Sequence, residues 1–198
     1  MSLYTEAIGD IRSQEGTWYH LRELDKLSSN NVAMLDMTFE NVPDDVCGNC
    51  RFDIIMTNGT KIELKSYTKN SLNRIAGYGP GDNFFKQHLA YLSDAGTNNL
   101  NRIKYKFDLE KFYGKPLAQI TETEKQQALT YIKGKFKRMY VNNAENMFKP
   151  IRQGGLGQAK MKQLFEFGEF RFNTVSEFKG FLNNQEFLDN ALKFVKAE

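Results

Sequence analysis

The sequence lacks any long apolar segment, which excludes a membrane-spanning helix. No run of about 18 apolar residues, the minimum for a spanning helix, occurs in the 198 residues, and we expect no membrane association. The opening segment MSLYTEAIGDIRSQEG has no charged region followed by an apolar stretch. We therefore expect no secretory signal at this start and a cytoplasmic site of action. Secretion or delivery as part of a longer polypeptide stays open.

Cysteine and histidine are scarce, which limits metal and redox chemistry. The chain has two cysteines, Cys47 and Cys50, in the segment CGNC, and two histidines, His20 and His88. A structural zinc site needs four ligands, and a redox C-x-x-C usually precedes a helix, whereas this one leads into a predicted strand. A zinc or redox protein is therefore a minor alternative, and we expect loop residues with free thiols.

Several catalytic signatures are also missing, and the charge is uneven. The segments GxGxxG, GxxxxGK[ST] and HExxH and the serine-hydrolase elbow are all absent, which argues against the enzyme classes that depend on them. The net charge is only +3, yet residues 1–50 carry a net charge of −6 and residues 101–150 a net charge of +6. This asymmetry indicates a face that tolerates an anionic partner, although solvated helix faces explain it equally well.

Apolar periodicity predicts an α/β protein with a helical C-terminal portion. Trp18, Leu21, Leu24 and Leu27 recur at a spacing of three and predict a helix over the first 28 residues. The other elements of the N-terminal half are predicted as strands over 32–39, 51–56, 60–65 and 102–112, a turn-rich loop over 68–83 and a helix over 83–94.

The C-terminal half is predicted to be helical. Thr121 and Glu124 fit a capping box, from which a long helix runs to about Asn143 before QGGLGQ ends it. One or two short helices follow near the C-terminus. We expect residues 1–113 to form the functional core and residues 114–198 a helical extension packed on it, in one compact domain.

The segment RFDIIMTNGTKIELKSY predicts a β-hairpin whose register follows from its turn. A two-residue turn would set Ile54 against Glu63. A three-residue turn sets Ile54 against Ile62 and Phe52 against Leu64, which gathers one apolar face. Gly59 would then take the left-handed conformation that such turns require.

This register places Asp53 opposite Glu63, with Lys65 on the same face. Opposed like charges are destabilising, and a divalent cation between the two carboxylates would compensate them. Mg²⁺ suits such a site because it binds through few carboxylates and keeps several waters. A neighbouring lysine could hold a phosphate oxygen, stabilise transition-state charge or orient a water. A lysine that only neutralises Glu63 explains the pattern equally well.

Asp53, followed after nine residues by Glu63-Leu64-Lys65, resembles the core motif of the PD-(D/E)xK nuclease superfamily. The proline of the half-motif is absent, because Phe52 precedes Asp53. The resemblance, over about residues 13–108, implies a restriction-endonuclease-like αβββαβ core with a mixed sheet. It implies that Asp53, Glu63 and the Leu64 carbonyl bind Mg²⁺ (or Mn²⁺), and that Lys65 assists attack on the phosphodiester.

Two further features resemble the same superfamily. Gln87 and Tyr91 match the QxxxY element of RecB-like members, where the pair could touch substrate backbone or order the lysine. An N-terminal helix in many members contributes a glutamate to the metal site, and Glu15 is the candidate, with Glu6 as the alternative.

A basic segment, YIKGKFKRMY (131–140), is the candidate nucleic-acid surface. We expect its aromatic residues to point inward and Lys133, Lys137 and Arg138 to grip phosphates. The expected activity is therefore a Mg²⁺-dependent nuclease, with DNA favoured over RNA as the partner. The alternative is a catalytically silent nucleic-acid- or protein-binding module on the same fold.

The overall organisation resembles the nuclease domains of bacterial competition toxins. This resemblance implies a second partner, a cognate immunity protein of acidic character that inhibits the nuclease.

Overall fold

The computed structural model describes residues 11–38, 50–95 and 100–197, without the side chains of 11–15 and 36–38. Strands occupy Val32–Thr38 (β1), Arg51–Met56 (β2), Lys61–Lys65 (β3), Ile103–Phe107 (β4) and Val195–Ala197 (β5). Helices occupy Ile11–Asp25 (α1), Lys69–Asn73 (α2), Asn83–Asp94 (α3), Leu109–Tyr113 (α4), Glu122–Met147 (α5), Gly157–Phe165 (α6), Val175–Phe181 (α7) and Gln185–Ala191 (α8). No helix in these ranges is long and apolar enough to cross a membrane.

The described strands form one mixed sheet in the order β1-β2-β3-β4-β5. Strands β1, β2 and β3 pair antiparallel, while β4 is parallel to both β3 and β5. The parallel step from β3 to β4 needs a crossover, which α2 and α3 provide. The predicted α/β class is confirmed.

The hairpin between β2 and β3 has the predicted three-residue turn. Ile54 pairs with Ile62, and the Met56 N–H donates to the Thr60 carbonyl over 2.8 Å. Gly59 has φ 79°, the left-handed conformation that the turn requires. Apolar matching across the two strands therefore predicted the register correctly.

The predicted single apolar face of this hairpin is only partly correct. Ile54, Ile62 and Leu64 are buried against α1, where they meet Tyr19. Phe52 instead belongs to the larger core on the other side of the sheet. The pairing of β2 with β3 ends at Ile54 and Ile62. Beyond this point the side chains of β2 need not alternate regularly between the two faces, so Phe52 can pack in the larger core.

The stripe predicted for helix α1 is only partly buried, since Leu24 and Leu27 pack half-buried beside Tyr19. Trp18 is 66 % exposed, whereas Tyr19 and Glu23, one turn apart, are 2 % and 3 % exposed. Residues spaced by three do not stay on one face of a helix with 3.6 residues per turn. The face of α1 that packs on the sheet carries Tyr19 and Glu23 instead. Glu23 is compensated there by ion pairs with Lys26 and Lys106.

Two predicted boundaries were wrong. The predicted loop 68–83 contains α2, which Thr68 caps by accepting from the Ser71 N–H over 3.1 Å. The predicted strand 102–112 is β4 followed by α4, because the Asp108 carboxylate accepts from the Lys111 N–H and begins a helix. Local capping bonds decide both cases.

The C-terminal half contributes helices to the apolar core and one strand to the sheet. The capping box of Thr121 and Glu124 is confirmed, and α5 continues to Met147. Strand β5, which the sequence did not predict, pairs with β4. Phe136 of α5 and Phe194 before β5 lie in the same apolar core as β4.

The turn after α5 leaves no room for a side chain. A Cβ atom at Gly155 would lie 2.3 Å from the Asn146 carbonyl oxygen and 2.4 Å from that of Lys149. Both obstacles are backbone atoms, which cannot swing aside. The turn therefore requires glycine at this position.

Gly155→Ala is expected to lower the free energy of unfolding by about 2 kcal/mol or more, because the backbone must move to admit the methyl group. Gly134→Ala, in the middle of α5, is the control. A Cβ there meets nothing within 4 Å, so this change should raise stability by about 0.5–1 kcal/mol. Urea unfolding measures both. A Gly155→Ala variant as stable as wild type would contradict the close approach.

Candidate active site

Glu63 and Lys65 of β3 meet on the face of the sheet that α3 covers. The Lys65 ammonium forms an ion pair with the Glu63 carboxylate and donates to the Gln87 side-chain carbonyl over 3.1 Å. The side chains of Glu63 and Lys65 are only 4 % and 11 % exposed. Alternation along β3 therefore brings the two predicted residues together, and α3 adds a third.

Gln87 and Tyr91 form a connected pair one turn apart on α3. The Gln87 amide donates to the Tyr91 hydroxyl over 2.5 Å, while its carbonyl oxygen accepts from Lys65. The Tyr91 hydroxyl lies 2.6 Å from the Glu63 carboxylate and 2.5 Å from the Arg51 carbonyl oxygen. Both side chains therefore order the Glu63–Lys65 pair, one of the two roles expected for them.

Burial fixes the position of Tyr91. Its ring stacks on Phe52 with centroids 4.2 Å apart, and its exposure is 0 %. Burial, followed by the neighbouring Glu63 carboxylate, raises the pKa of Tyr91 far above its ordinary value. The hydroxyl therefore keeps its proton, and its position inside the core leaves it to order Glu63 rather than to grip nucleic acid.

Asp53 lies beside this pair but is held differently. Its Oδ2 accepts from the Leu64 N–H over 2.6 Å. If the pairing of β2 with β3 continued, this N–H would instead donate to the Phe52 carbonyl. The negative charge of Asp53 is among the causes that raise the pKa of Glu63, so the two carboxylates interact. The bond to Leu64 fixes one oxygen of Asp53 and leaves its side chain 25 % exposed.

His20 is a site neighbour that the sequence did not predict. Its Nδ1 lies 3.9 Å from Oδ1 of Asp53, and its side chain is 29 % exposed. The sequence suggested His20 only as a zinc ligand. No spacing rule links a helix residue to a strand 33 positions later, so only the packing of α1 on β2 could reveal this contact.

Electrostatics at Glu63 are dominated by burial. Burial raises the pKa of Glu63 to about 7, although the Lys65 ammonium acts in the opposite direction. For Lys65, burial lowers the pKa, but the Glu63 carboxylate and other neighbours raise it above 10.5 in net effect. At neutral pH the site therefore holds a charged lysine beside a carboxyl group close to its titration point.

The hydrogen bonds accommodate either protonation state of Glu63. As a carboxylate, Glu63 accepts from Tyr91 and from Lys65. As a neutral acid, it can donate to the Tyr91 oxygen, which then donates to the Arg51 carbonyl. Because no bond is lost on protonation, the site tolerates a half-ionised Glu63 without rearrangement.

The donor set fits a hard cation that keeps most of its water. Asp53 and Glu63 supply two interacting carboxylates, which is what Mg²⁺ typically takes from a protein. Within residues 11–38, 50–95 and 100–197, no group of three or more His, Cys, Asp or Glu side chains is arranged to hold a metal.

Three predicted residues lie outside what the structure describes. The side chain of Glu15 is not described, and Glu6 and Cys47 lie outside the described ranges. Cys50, by contrast, is disulfide-bonded and 4 % exposed. The expectation of a free thiol is therefore wrong for Cys50.

The second histidine is part of the core. His88 of α3 is fully buried and bonds to the Tyr105 hydroxyl over 3.0 Å and to the Tyr140 hydroxyl over 2.8 Å. Burial, with the positive charge of Lys65 adding to it, lowers the pKa of His88 to about 3. His88 is therefore neutral at physiological pH, and it ties α3 to β4 and α5.

The predicted nucleic-acid surface is only partly exposed. Phe136 and Tyr140 point inward, as expected. Lys133, however, forms an ion pair of 2.9 Å with Asp189 of α8. Lys137 is half-buried and Arg138 is exposed. Their binding to nucleic acid stays a prediction.

A cleft of about 80 Å³ lies between α1 and the segment 108–117, and neither Glu63 nor Lys65 lines it. Its charged side chains are already matched, since Arg22 pairs with Asp108 and Glu110. This cleft therefore offers no uncompensated charge to a ligand.

No protein-family model, no curated protein and no solved structure matches this chain.

The raised pKa of Glu63 predicts how stability varies with pH. Between pH 4.5 and about 7 the folded protein retains a proton that the unfolded chain releases, so stability falls as pH rises. Relative to Glu63→Gln, the wild-type free energy of unfolding should fall by about 3 kcal/mol across this window. Urea titrations without divalent cations measure it.

Glu169→Gln, at an exposed turn, controls for the loss of one negative charge. If the wild-type and Glu63→Gln proteins show parallel pH profiles, Glu63 does not titrate near pH 7 and its burial is not as described.

Proposed function

We propose that this protein is a Mg²⁺-dependent nuclease with a restriction-endonuclease-like core. The observation that carries the proposal is the buried Glu63–Lys65 pair, ordered by Gln87 and Tyr91, with the Asp53 carboxylate beside it. The described elements from α1 to β4 follow the order αβββααβ, which departs from the αβββαβ order that the sequence resemblance implies by the five-residue helix α2. The site chemistry and the mixed α/β sheet support the proposal.

Asp53, Glu63 and the Leu64 carbonyl would hold the cation, Mg²⁺ or Mn²⁺. When bound, the cation supplies a water of lowered pKa and screens the phosphate charge. Lys65, held between Glu63 and Gln87, remains protonated and can stabilise the charge that develops on the phosphorus-bound oxygens. Gln87 and Tyr91 keep Lys65 and Glu63 in place.

The proposed substrate is nucleic acid, with DNA favoured. Delivery as a bacterial toxin or effector domain, with an acidic immunity protein as inhibitor, is the accompanying biological proposal, and it depends on the resemblance alone. The nuclease proposal does not require it.

A second candidate function is a catalytically silent binding module on the same fold. The observation that favours it is the closure of the site, because Glu63 is 3 % exposed and already paired with Lys65. In such a module the pair would be a structural element of the sheet. The two candidates differ in whether removal of these charges abolishes a reaction.

The test is cleavage of plasmid, linear DNA and tRNA with Mg²⁺, Mn²⁺ or EDTA. Asp53→Asn keeps an acceptor for the Leu64 N–H but removes the charge, and Glu63→Gln and Lys65→Ala remove the other two charges. Each should lower the cleavage rate by roughly 100-fold or more, because each group acts on the transition state. EDTA should abolish cleavage.

The matched controls are Glu122→Gln and Lys125→Ala, from an exposed ion pair of 3.2 Å at the start of α5. They should cleave like wild type. Metal-independent cleavage, or cleavage retained in all three site variants, would refute catalysis at this site. Nucleic-acid binding without cleavage in any protein would favour the silent module.

A further inference from the structure

Two lysines from different helices share one aromatic ring close to the candidate active site. Nζ of Lys69, at the start of α2, lies 5.3 Å from the centroid of the Tyr131 ring, and Nζ of Lys135 lies 4.5 Å from it. The ring attracts each ammonium group, but the two positive charges repel each other. A single anion placed between them would relieve that repulsion.

Neither lysine is neutralised within the part of the chain that the structure describes. Their neighbours on α5 are, since Lys125 pairs with Glu122 and Lys133 with Asp189. Lys69 and Lys135 have no carboxylate within ion-pair distance among the described side chains. The pair therefore presents two uncompensated charges on one platform.

The platform is held rigidly. The Tyr131 hydroxyl donates to the Asn73 side-chain oxygen over 2.5 Å, which ties α5 to α2. Phe112 of α4 packs edge-on against the Tyr131 ring at 5.6 Å and lies 6.0 Å from the Lys69 ammonium. Three helices thus fix the ring that both ammonium groups contact, which reduces the entropy lost on binding a ligand.

The chain also limits the distance between Lys69 and Lys65. Lys69 follows Lys65 by four residues, so their Cα atoms are at most about 15 Å apart. Ser66 between them donates to Asp108 over 3.0 Å, and Thr68 caps α2. At 3.4 Å of axial rise per nucleotide, this upper limit corresponds to at most about four nucleotides of one strand.

We propose that Lys69 and Lys135, supported by Tyr131, bind a phosphodiester group of the nucleic-acid strand whose cleavage the candidate active site carries out. This inference builds on the proposed function and identifies where the strand runs, across α2 and α5. The contact is to the nucleic-acid backbone, because the two ammonium groups recognise the charge of a phosphate and do not read a base edge. Binding there is sequence-independent and salt-dependent.

The test separates binding from catalysis. Fluorescence anisotropy with labelled single-stranded and duplex DNA, in EDTA over a series of salt concentrations, measures affinity without cleavage. The loss of one phosphate contact should reduce the slope of log affinity against log salt by about 0.7 for single strands and about 0.9 for duplex. Lys69→Gln/Lys135→Gln should therefore bind single strands roughly 5-fold more weakly at 0.1 M salt.

The matched control is Lys125→Gln/Lys179→Gln, which removes the same charge from lysines already paired with Glu122 and Glu145. Its slope should equal that of wild type. Lys69→Arg/Lys135→Arg keeps both charges and should restore binding, which excludes misfolding as the cause of the loss. Equal losses in the glutamine variant and its control would overturn the proposal.

The outcomes distinguish this site from the nuclease proposal. Cleavage by wild type together with an unchanged slope in Lys69→Gln/Lys135→Gln overturns the phosphate site and leaves the nuclease. A reduced slope in a protein that never cleaves supports the phosphate site and removes the nuclease. If the wild-type protein binds neither DNA, the phosphate site is overturned as well.

Discussion

A buried carboxylate beside a buried ammonium is the constraint around which the sheet and α3 are organised. Glu63 is 3 % exposed, and a charge so placed is costly unless it is paired and hydrogen-bonded. Lys65 supplies the charge, Tyr91 supplies a hydroxyl, and Gln87 connects the two. Even so, burial raises the pKa of Glu63 to about 7, so this carboxyl group is close to its titration point at neutral pH.

The aromatic core keeps these polar groups in place. Tyr91 of α3 stacks on Phe52. His88, on the same helix, bonds to the hydroxyls of Tyr105 in β4 and Tyr140 in α5. Because α3 is fixed on both sides, Gln87 has little freedom to leave Lys65. The C-terminal helices and β5 complete this core, so a segment without a recognisable motif is still needed to build the site.

The distribution of charge gives the molecule two kinds of lysine. Some face carboxylates, and one of these ion pairs, Lys133 with Asp189, joins α5 to α8. Lys69 and Lys135 instead meet at the Tyr131 ring. Sequence composition predicts a basic segment over 131–140, but pairing in three dimensions determines which of its charges are available to an anion. Lys69 lies outside that segment and joins it only through the packing of α2 on α5.

The sequence by itself determined the features that depend on near neighbours. Apolar matching and Gly59 determined the hairpin register, alternation placed Glu63 and Lys65 on one face, and Thr121 with Glu124 began α5. Tertiary structure alone decided which α1 residues are buried, brought His20 to Asp53, moved Phe52 across the sheet and added β5. These contacts join residues far apart in the chain, and their energy comes from burial and pairing that no local pattern encodes.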